Sequence, residues 1–247
     1  MAITLSSLAA SSLASSQARG PTQVDRTAEA FQKADKRIQQ QRELAAVQLS
    51  SSGKVKSAFA DAQVAAAALS DNKQIASEAE TRRLAGNFVK TFNNAVQTAR
   101  TAATQPGSGV EGSRGRAAET DLRRSVSTDT TLADLRKIGV SQQGNGTLAI
   151  DNRVFDAALS ADAGAVRSAL SRAAQQVERT TATQLADRGN VGKAVNSLSE
   201  RAESLETRQT DQQALAAAAR QTVSAQAKRF NESLNSGAAA YQRVFSL

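Results

Sequence analysis

Residues 220–247 read RQTVSAQAKRFNESLNSGAAAYQRVFSL. Within them Val223, Ala227, Phe230, Leu234, Ala238, Tyr241 and Phe245 follow one another at steps of three or four residues, the spacing that brings side chains onto one face of an α-helix. No Pro breaks the run, and the Ala, Gln, Lys and Arg residues between the large side chains are good helix formers. An apolar seam carried into the last residues of a chain needs a surface to pack on, because a free end otherwise frays. The stretch therefore predicts a long amphipathic helix that docks on a partner, and a fold class that is mainly α. The interface residues it nominates are Val223, Phe230, Leu234, Tyr241 and Phe245.

Working back from that helix, Val195, Leu198, Ala202 and Leu205 are spaced three, four and three apart, as the a and d positions of a coiled coil are. Polar residues 209–213 should interrupt this seam, and Gly189-Asn190-Val191-Gly192 should separate it from what precedes. At the other end of the chain Phe31, Ala34, Ile38, Gln41 and Ala45 form a similar seam. It shifts near Ser50-Ser51-Ser52-Gly53 and resumes through Val55, Phe59, Ala62, Ala66 and Leu69. Gly53 is its weakest point. Ser70-Asp71-Asn72 stop the pattern, since such side chains compete for backbone hydrogen bonds. Leu84, Phe88, Phe92 and Ala95 then mark a second helix, which ends before Gln105-Pro106-Gly107-Ser108-Gly109; residues 106–115 should form an exposed loop.

The middle of the chain changes character. Leu132, Leu135 and Ile138 suit a short helix, after which Gly139-Val140 and Gly144-Asn145-Gly146 introduce turns. Thr147-Leu148-Ala149-Ile150 alternates polar and apolar residues, so a small β element with Asn145-Gly146 at a hairpin-type turn is expected. Asp151 is placed to cap a helix whose apolar face holds Val154, Phe155, Ala158 and Leu159. Asp162 can cap another, carrying Val166, Leu170 and Val177. The organisation read from these signals is a disordered tail over 1–25, an N-terminal coiled-coil helix over 26–70, a stalk domain with a small β element over 71–188, and a C-terminal coiled-coil helix over 189–247.

Composition narrows the function. Seven Phe, one Tyr and no Trp among 247 residues give few of the side chains that bury most area, so thin helical bundles fit better than a thick globular core. With no Cys and no His, thiol and imidazole chemistry and the usual zinc ligands are gone. No catalytic, cofactor-binding or metal-ligating residue is expected. The carboxylates Asp129, Asp134 and Asp151 are separated by turns, and Glu200, Glu203 and Glu206 lie beside Arg201 and Arg208 as surface ion pairs do. Gly189-Asn190-Val191-Gly192-Lys193 has two residues rather than four between its glycines and Ala194 where a phosphate loop needs Ser or Thr, so it reads as an interhelical turn. Asn145-Gly146-Thr147 and Asn231-Glu232-Ser233 match the short glycosylation sequon and carry no weight on that ground alone.

The net charge of +8, from 31 Lys and Arg against 23 Asp and Glu, could draw an anionic partner. Along most of the chain the two signs are interleaved, and the local excess at Arg114, Arg116, Arg123 and Arg124 has no aromatic residue nearby for base stacking. No nucleic-acid partner is expected. No run of about 18 apolar residues offers a membrane span. The N-terminal MAITLSSLAASSLASS lacks a Lys or Arg ahead of its apolar part, and Ser residues break that part, so it is not read as a cleaved signal peptide.

One succession of motifs is specific. Leu132-Ala133-Asp134-Leu135-Arg136-Lys137-Ile138-Gly139-Val140 is followed by Gly146-Thr147-Leu148-Ala149-Ile150-Asp151, then Phe155-Asp156-Ala157-Ala158-Leu159 and Ala165-Val166. Upstream lie Gln48 to Ala58, with Ser50-Ser51-Ser52-Gly53-Lys54-Val55 at their centre, and Asn87-Phe88-Val89-Lys90-Thr91-Phe92-Asn93. Together these resemble the filament-capping proteins of the bacterial flagellum, the flagellar hook-associated protein 2 family, over most of residues 31–247. In that family β-rich head domains are inserted between the first stalk helix and the helix that re-enters the stalk; here only about residues 70–77 stand between them. The resemblance thus implies the leg and stalk, without the functions that belong to the head.

What the resemblance implies is a structural protein, not an enzyme, that is secreted without a cleaved signal and acts outside the cell at the filament tip. Its partners would be further copies of itself, flagellin and other axial proteins, with an export chaperone beforehand. A flagellin or hook–filament junction protein is a second expectation, and a coiled-coil adaptor unrelated to motility a third.

Overall fold

The structure, a computed structural model, describes residues 20–71 and 77–245, with side chains described for 28–71 and 77–243. Most of the expected tail, residues 1–19, lies outside the described residues. In chain order the elements are α1 (Gly20–Ser70), α2 (Glu78–Ala103), α3 (Gly109–Ser125), α4 (Asp129–Lys137), β1 (Val140–Gln142), β2 (Leu148–Ile150), α5 (Asn152–Ala161), α6 (Ala163–Leu185) and α7 (Asn190–Phe245). The fold is mainly α with one small β element, as the seams indicate. Two compact units divide it: Leu44–Ala202, and the terminal segments Met1–Glu43 with Glu203–Leu247.

The core belongs to the Leu44–Ala202 unit. Phe59 from α1, Phe88 and Phe92 from α2 and Phe155 from α5 are each no more than 1% exposed, and they join Leu69, Leu122, Leu135, Leu159, Leu170 and Val177 in one apolar cluster. Phe88 and Phe92, one turn apart on α2, hold their rings 6.2 Å apart and tilted, a spacing in the favourable range for aromatic pairs. Around these few large residues the packing is done by alanine, with Ala62, Ala66, Ala85, Ala95, Ala99, Ala118, Ala173 and Ala174 all buried.

α1 does not break at Gly53. A Cβ built there meets nothing within 4 Å, so the residue costs only the helix propensity of glycine, about 1 kcal/mol relative to alanine. Burying Val55, Phe59 and Leu69 beyond it contributes about 1.5–3 kcal/mol per side chain, and this burial outweighs the glycine and keeps the helix running. Gln41, counted in the seam, is exposed, whereas Phe31, Ala34 and Ile38 are half-buried and Ala45 is buried.

The expectation of an exposed loop over 106–115 is wrong beyond its first residues, because α3 begins at Gly109. Its glycines serve packing. A Cβ at Gly112 would come within 2.9 Å of the Ala103 carbonyl oxygen, and one at Gly115 would lie 3.4 Å from the Ala99 carbonyl and 3.6 Å from the Ala103 Cβ. Gly112 and Gly115, three residues apart, share a helix face, and their smallness lets α3 lie against α2. The basic excess read at residues 114–124 is consequently helical. Arg114 pairs with Glu111 at 2.7 Å, Arg123 reaches Glu119 at 3.5 Å, and Arg116 donates to the Ala103 carbonyl at 3.1 Å.

The remaining punctuation follows the capping residues. Ser77 caps α2 by accepting from Glu80 N at 3.2 Å. Asp151 accepts from Arg153 N and Val154 N to start α5, and Asp162 accepts from Ala165 N to start α6. Val154 is 42% exposed rather than on the buried face of α5; Phe155 and Leu159 carry that face. β1 and β2 pair antiparallel, with Val140 opposite Ile150 and Gln142 opposite Leu148. The hairpin closes with Gln143 N donating to Thr147 O and Gly146 N donating to Gln143 O, both at 2.8 Å. Only Gly146 in this loop has a positive φ, +82°, so Gly144 and Asn145 form an ordinary turn and Gly146 is the bulge after it.

Candidate assembly surface on the C-terminal helix

α7 begins where residues 189–193 turn the chain, with Lys193 N donating to Gly189 O at 2.9 Å and Asn190 N to the Gln184 side-chain oxygen at 3.2 Å. That turn is closed by its own groups and by Gln184. Val191, Ala194 and Leu198 are then buried within the Leu44–Ala202 unit.

In the terminal unit the same helix carries a seam that runs through residues 209–213, where an interruption is expected from their polarity. Leu205 is buried, and Gln209, Gln212, Ala216, Ala219 and Val223 are half-buried, at steps of four, three, four, three and four. The two glutamines are members of the seam. Gln209 sits in it with its side-chain oxygen accepting from the Arg42 guanidinium of α1, which gives the half-buried glutamine a polar partner. The signal that could have found this was the period itself, which persists through polar residues.

Beyond Val223 that face is exposed. Phe230 is 55%, Leu234 41% and Tyr241 66% exposed. At the rotation of an α-helix these three and the half-buried positions from Leu205 to Val223 share an arc of about 80°. The structure thus separates the five nominated residues. Val223 is the last half-buried position of the seam, Phe230, Leu234 and Tyr241 form its exposed continuation, and the Phe245 side chain lies outside the described residues.

Elsewhere several charged groups are paired within the fold. Arg100 pairs with Glu119 at 2.7 Å and also donates to the Asn145 carbonyl at 2.7 Å. Asp134 pairs with Arg172 at 2.8 Å and with Lys137 at 3.5 Å. Arg83 holds the exposed Glu80 carboxyl below the usual glutamate range, first by its hydrogen bond and also by its charge, and Glu80 raises Arg83 in return. Among the described residues no three His, Cys, Asp or Glu side chains converge as metal ligands, and no helix is long and apolar enough to cross a membrane.

No curated protein matches the chain significantly. A family model does: the flagellar hook-associated protein 2 C-terminus matches residues 79–247, from the first residues of α2 to the end of the chain. It takes in the hairpin, the capped helices α5 and α6 and the whole of the exposed stripe. As that match spans well over half of the sequence, the chain belongs to the flagellar hook-associated protein 2 family.

Proposed function

We propose that this protein is a non-enzymatic structural subunit of the bacterial flagellum, acting at the filament tip as a cap that promotes flagellin assembly through intermolecular helix packing. The observation that carries this reading is the exposed continuation of the α7 seam at Phe230, Leu234 and Tyr241. Large apolar side chains repeated along one helix face, continuous with a face already used in packing, suit a helix-to-helix interface better than any small-molecule site. On this reading the partners are further copies of the chain, flagellin and other axial proteins. Secretion to the cell exterior comes first, and an export chaperone shields the same stripe until assembly.

The test is Phe230→Ala combined with Leu234→Ala. Truncating such side chains in a packed interface costs about 2–5 kcal/mol each, so self-association or filament-end binding should fall by orders of magnitude while circular dichroism retains most of the helicity. Arg229→Ala, an exposed charge beside the stripe, should change either by about 1 kcal/mol or less. Sedimentation of the purified chains and electron microscopy of filaments from the corresponding strains, with supernatants checked for unpolymerised flagellin, give the readout. A double variant that assembles and supports motility like the unaltered chain overturns the proposal.

A further inference from the structure

The hairpin loop contains an asparagine followed by glycine. Asn145 is exposed, and its Oδ1 accepts from Thr147 N at 3.0 Å and from Thr147 Oγ1 at 2.7 Å. Gly146 is buried, its N–H donates to the Gln143 carbonyl at 2.8 Å, and the Arg123 side chain lies where a Cβ on Gly146 would stand. We propose that Asn145 is a deamidation site whose reaction the closed hairpin holds in check.

The chemistry needs only these two residues and water. The Gly146 backbone nitrogen, losing its proton, attacks Cγ of Asn145; a new N–Cγ bond forms, the Cγ–Nδ2 bond breaks, and the amide group leaves as ammonia with that proton. Water then opens the resulting five-membered imide at one of its two carbonyls, giving aspartate through one and an isoaspartyl linkage through the other. Glycine as the following residue leaves the attacking nitrogen unhindered by a Cβ. The fold opposes each requirement. The nitrogen must keep its proton to hold the Gln143 carbonyl, Cγ is fixed by two bonds from Thr147, and the packing of Arg123 on Gly146 restricts the rotation that ring closure demands.

The reaction therefore runs through the opened hairpin, and its rate in the folded chain is the open-chain rate multiplied by the fraction open. The two products differ in consequence. Aspartate keeps the oxygen that Thr147 bonds and sets its charge near Arg100, which already binds the residue 145 carbonyl. The isoaspartyl product adds a methylene to the main chain between β1 and β2, shifting the register in which Gln142 faces Leu148.

Incubating the full chain at one alkaline pH and temperature, folded and in guanidinium chloride, tests this by peptide mass spectrometry. The tryptic peptide 138–153 carries both Asn145 and Asn152, the latter followed by Arg153, and so contains its own reference. The unfolded chain should convert Asn145 faster than Asn152, and at least about tenfold faster than the folded chain does, as an opening-limited reaction requires. Thr147→Val, which removes the hydroxyl at nearly constant volume, should speed conversion in the folded chain and leave the unfolded rate unchanged. Equal rates folded and unfolded, or no preference for Asn145 over Asn152 in denaturant, overturn the proposal. So does an unchanged native rate in a Thr147→Val chain whose helicity is intact.

Discussion

Asn93 spends both halves of its carboxamide on one residue: Nδ2 donates to the Leu148 carbonyl at 2.8 Å and Oδ1 accepts from Leu148 N at 2.7 Å. A helix side chain thereby stands in for a third strand beside a sheet of only two. Asn93→Ala leaves two part-buried backbone groups without partners, at about 1–3 kcal/mol each, and should lower the denaturant midpoint by a corresponding amount with the helical signal retained. Asn93→Asp keeps the acceptor alone and should fall between. At the start of α2, Glu80 gives a pH test. Its carboxyl is lowered by the Arg83 hydrogen bond, so the stability it contributes is complete above the ordinary glutamate value of about 4.3 and is lost as pH falls through the lowered folded value. The melting-temperature gap between the unaltered chain and Glu80→Gln should therefore be open at neutral pH and close as pH falls below the ordinary glutamate range. Neither role was legible beforehand. Ser77 and Glu80 have the spacing of a capping pair, but the sequence does not say that the carboxylate turns to Arg83, and nothing about Asn93 marks it as a strand mimic, because its partner lies 55 residues away.

At the scale of elements, what the sequence disclosed were the features with local causes. Asp151 and Asp162 cap helices because a short carboxylate followed by an apolar periodic run has that effect wherever it occurs, and the hairpin follows from a glycine able to take φ +82°. What it concealed was decided by contact. Glycines at 109, 112 and 115 look like a loop by composition, yet α3 forms because α2 accepts Gly112 and Gly115 at close range; glycine's intrinsic cost of about 1 kcal/mol per residue is overridden by packing. The seam through Gln209 and Gln212 was hidden for the converse reason, a polar residue made tolerable by Arg42. Gly53 separates the two kinds of glycine. Its side-chain position is empty space within an uninterrupted helix, so Gly53→Ala should stabilise the chain by about 0.5–1 kcal/mol, whereas Gly112→Ala, forced against the Ala103 carbonyl, should destabilise it. Paired urea titrations of the two variants would show midpoints moving in opposite directions; a loss of stability in Gly53→Ala would mean that α1 bends there.

Across the whole molecule the scarcity of large side chains was the most informative property of the sequence, because seven Phe in 247 residues force a choice about where each is used. Periodicity found which phenylalanines lie on helical faces, but it could not tell a buried face from an exposed one, since the same three-and-four spacing serves a core and an interface alike. The structure makes that distinction. Phe92 is fully buried in the Leu44–Ala202 unit, while Phe230 is 55% exposed in the terminal unit. The two should therefore answer the same truncation in opposite ways. Phe92→Ala removes a side chain from a closed cluster that includes Phe88, Leu122 and Leu170; with the cavity left behind, the cost is about 3–5 kcal/mol, a large part of the margin by which a domain is stable. The chain should melt much earlier and, where it remains folded, associate normally. Phe230→Ala gives up a contact that the isolated chain does not make, so its unfolding free energy at high dilution should stay within about 0.5 kcal/mol of the unaltered value, while its association weakens. Measuring both quantities on both variants, thermal unfolding at low concentration and sedimentation at high, separates folding from assembly. If Phe230→Ala instead melts early in dilute solution and associates as before, the C-terminal seam is a core of the monomer, and the assembly function assigned to it is wrong.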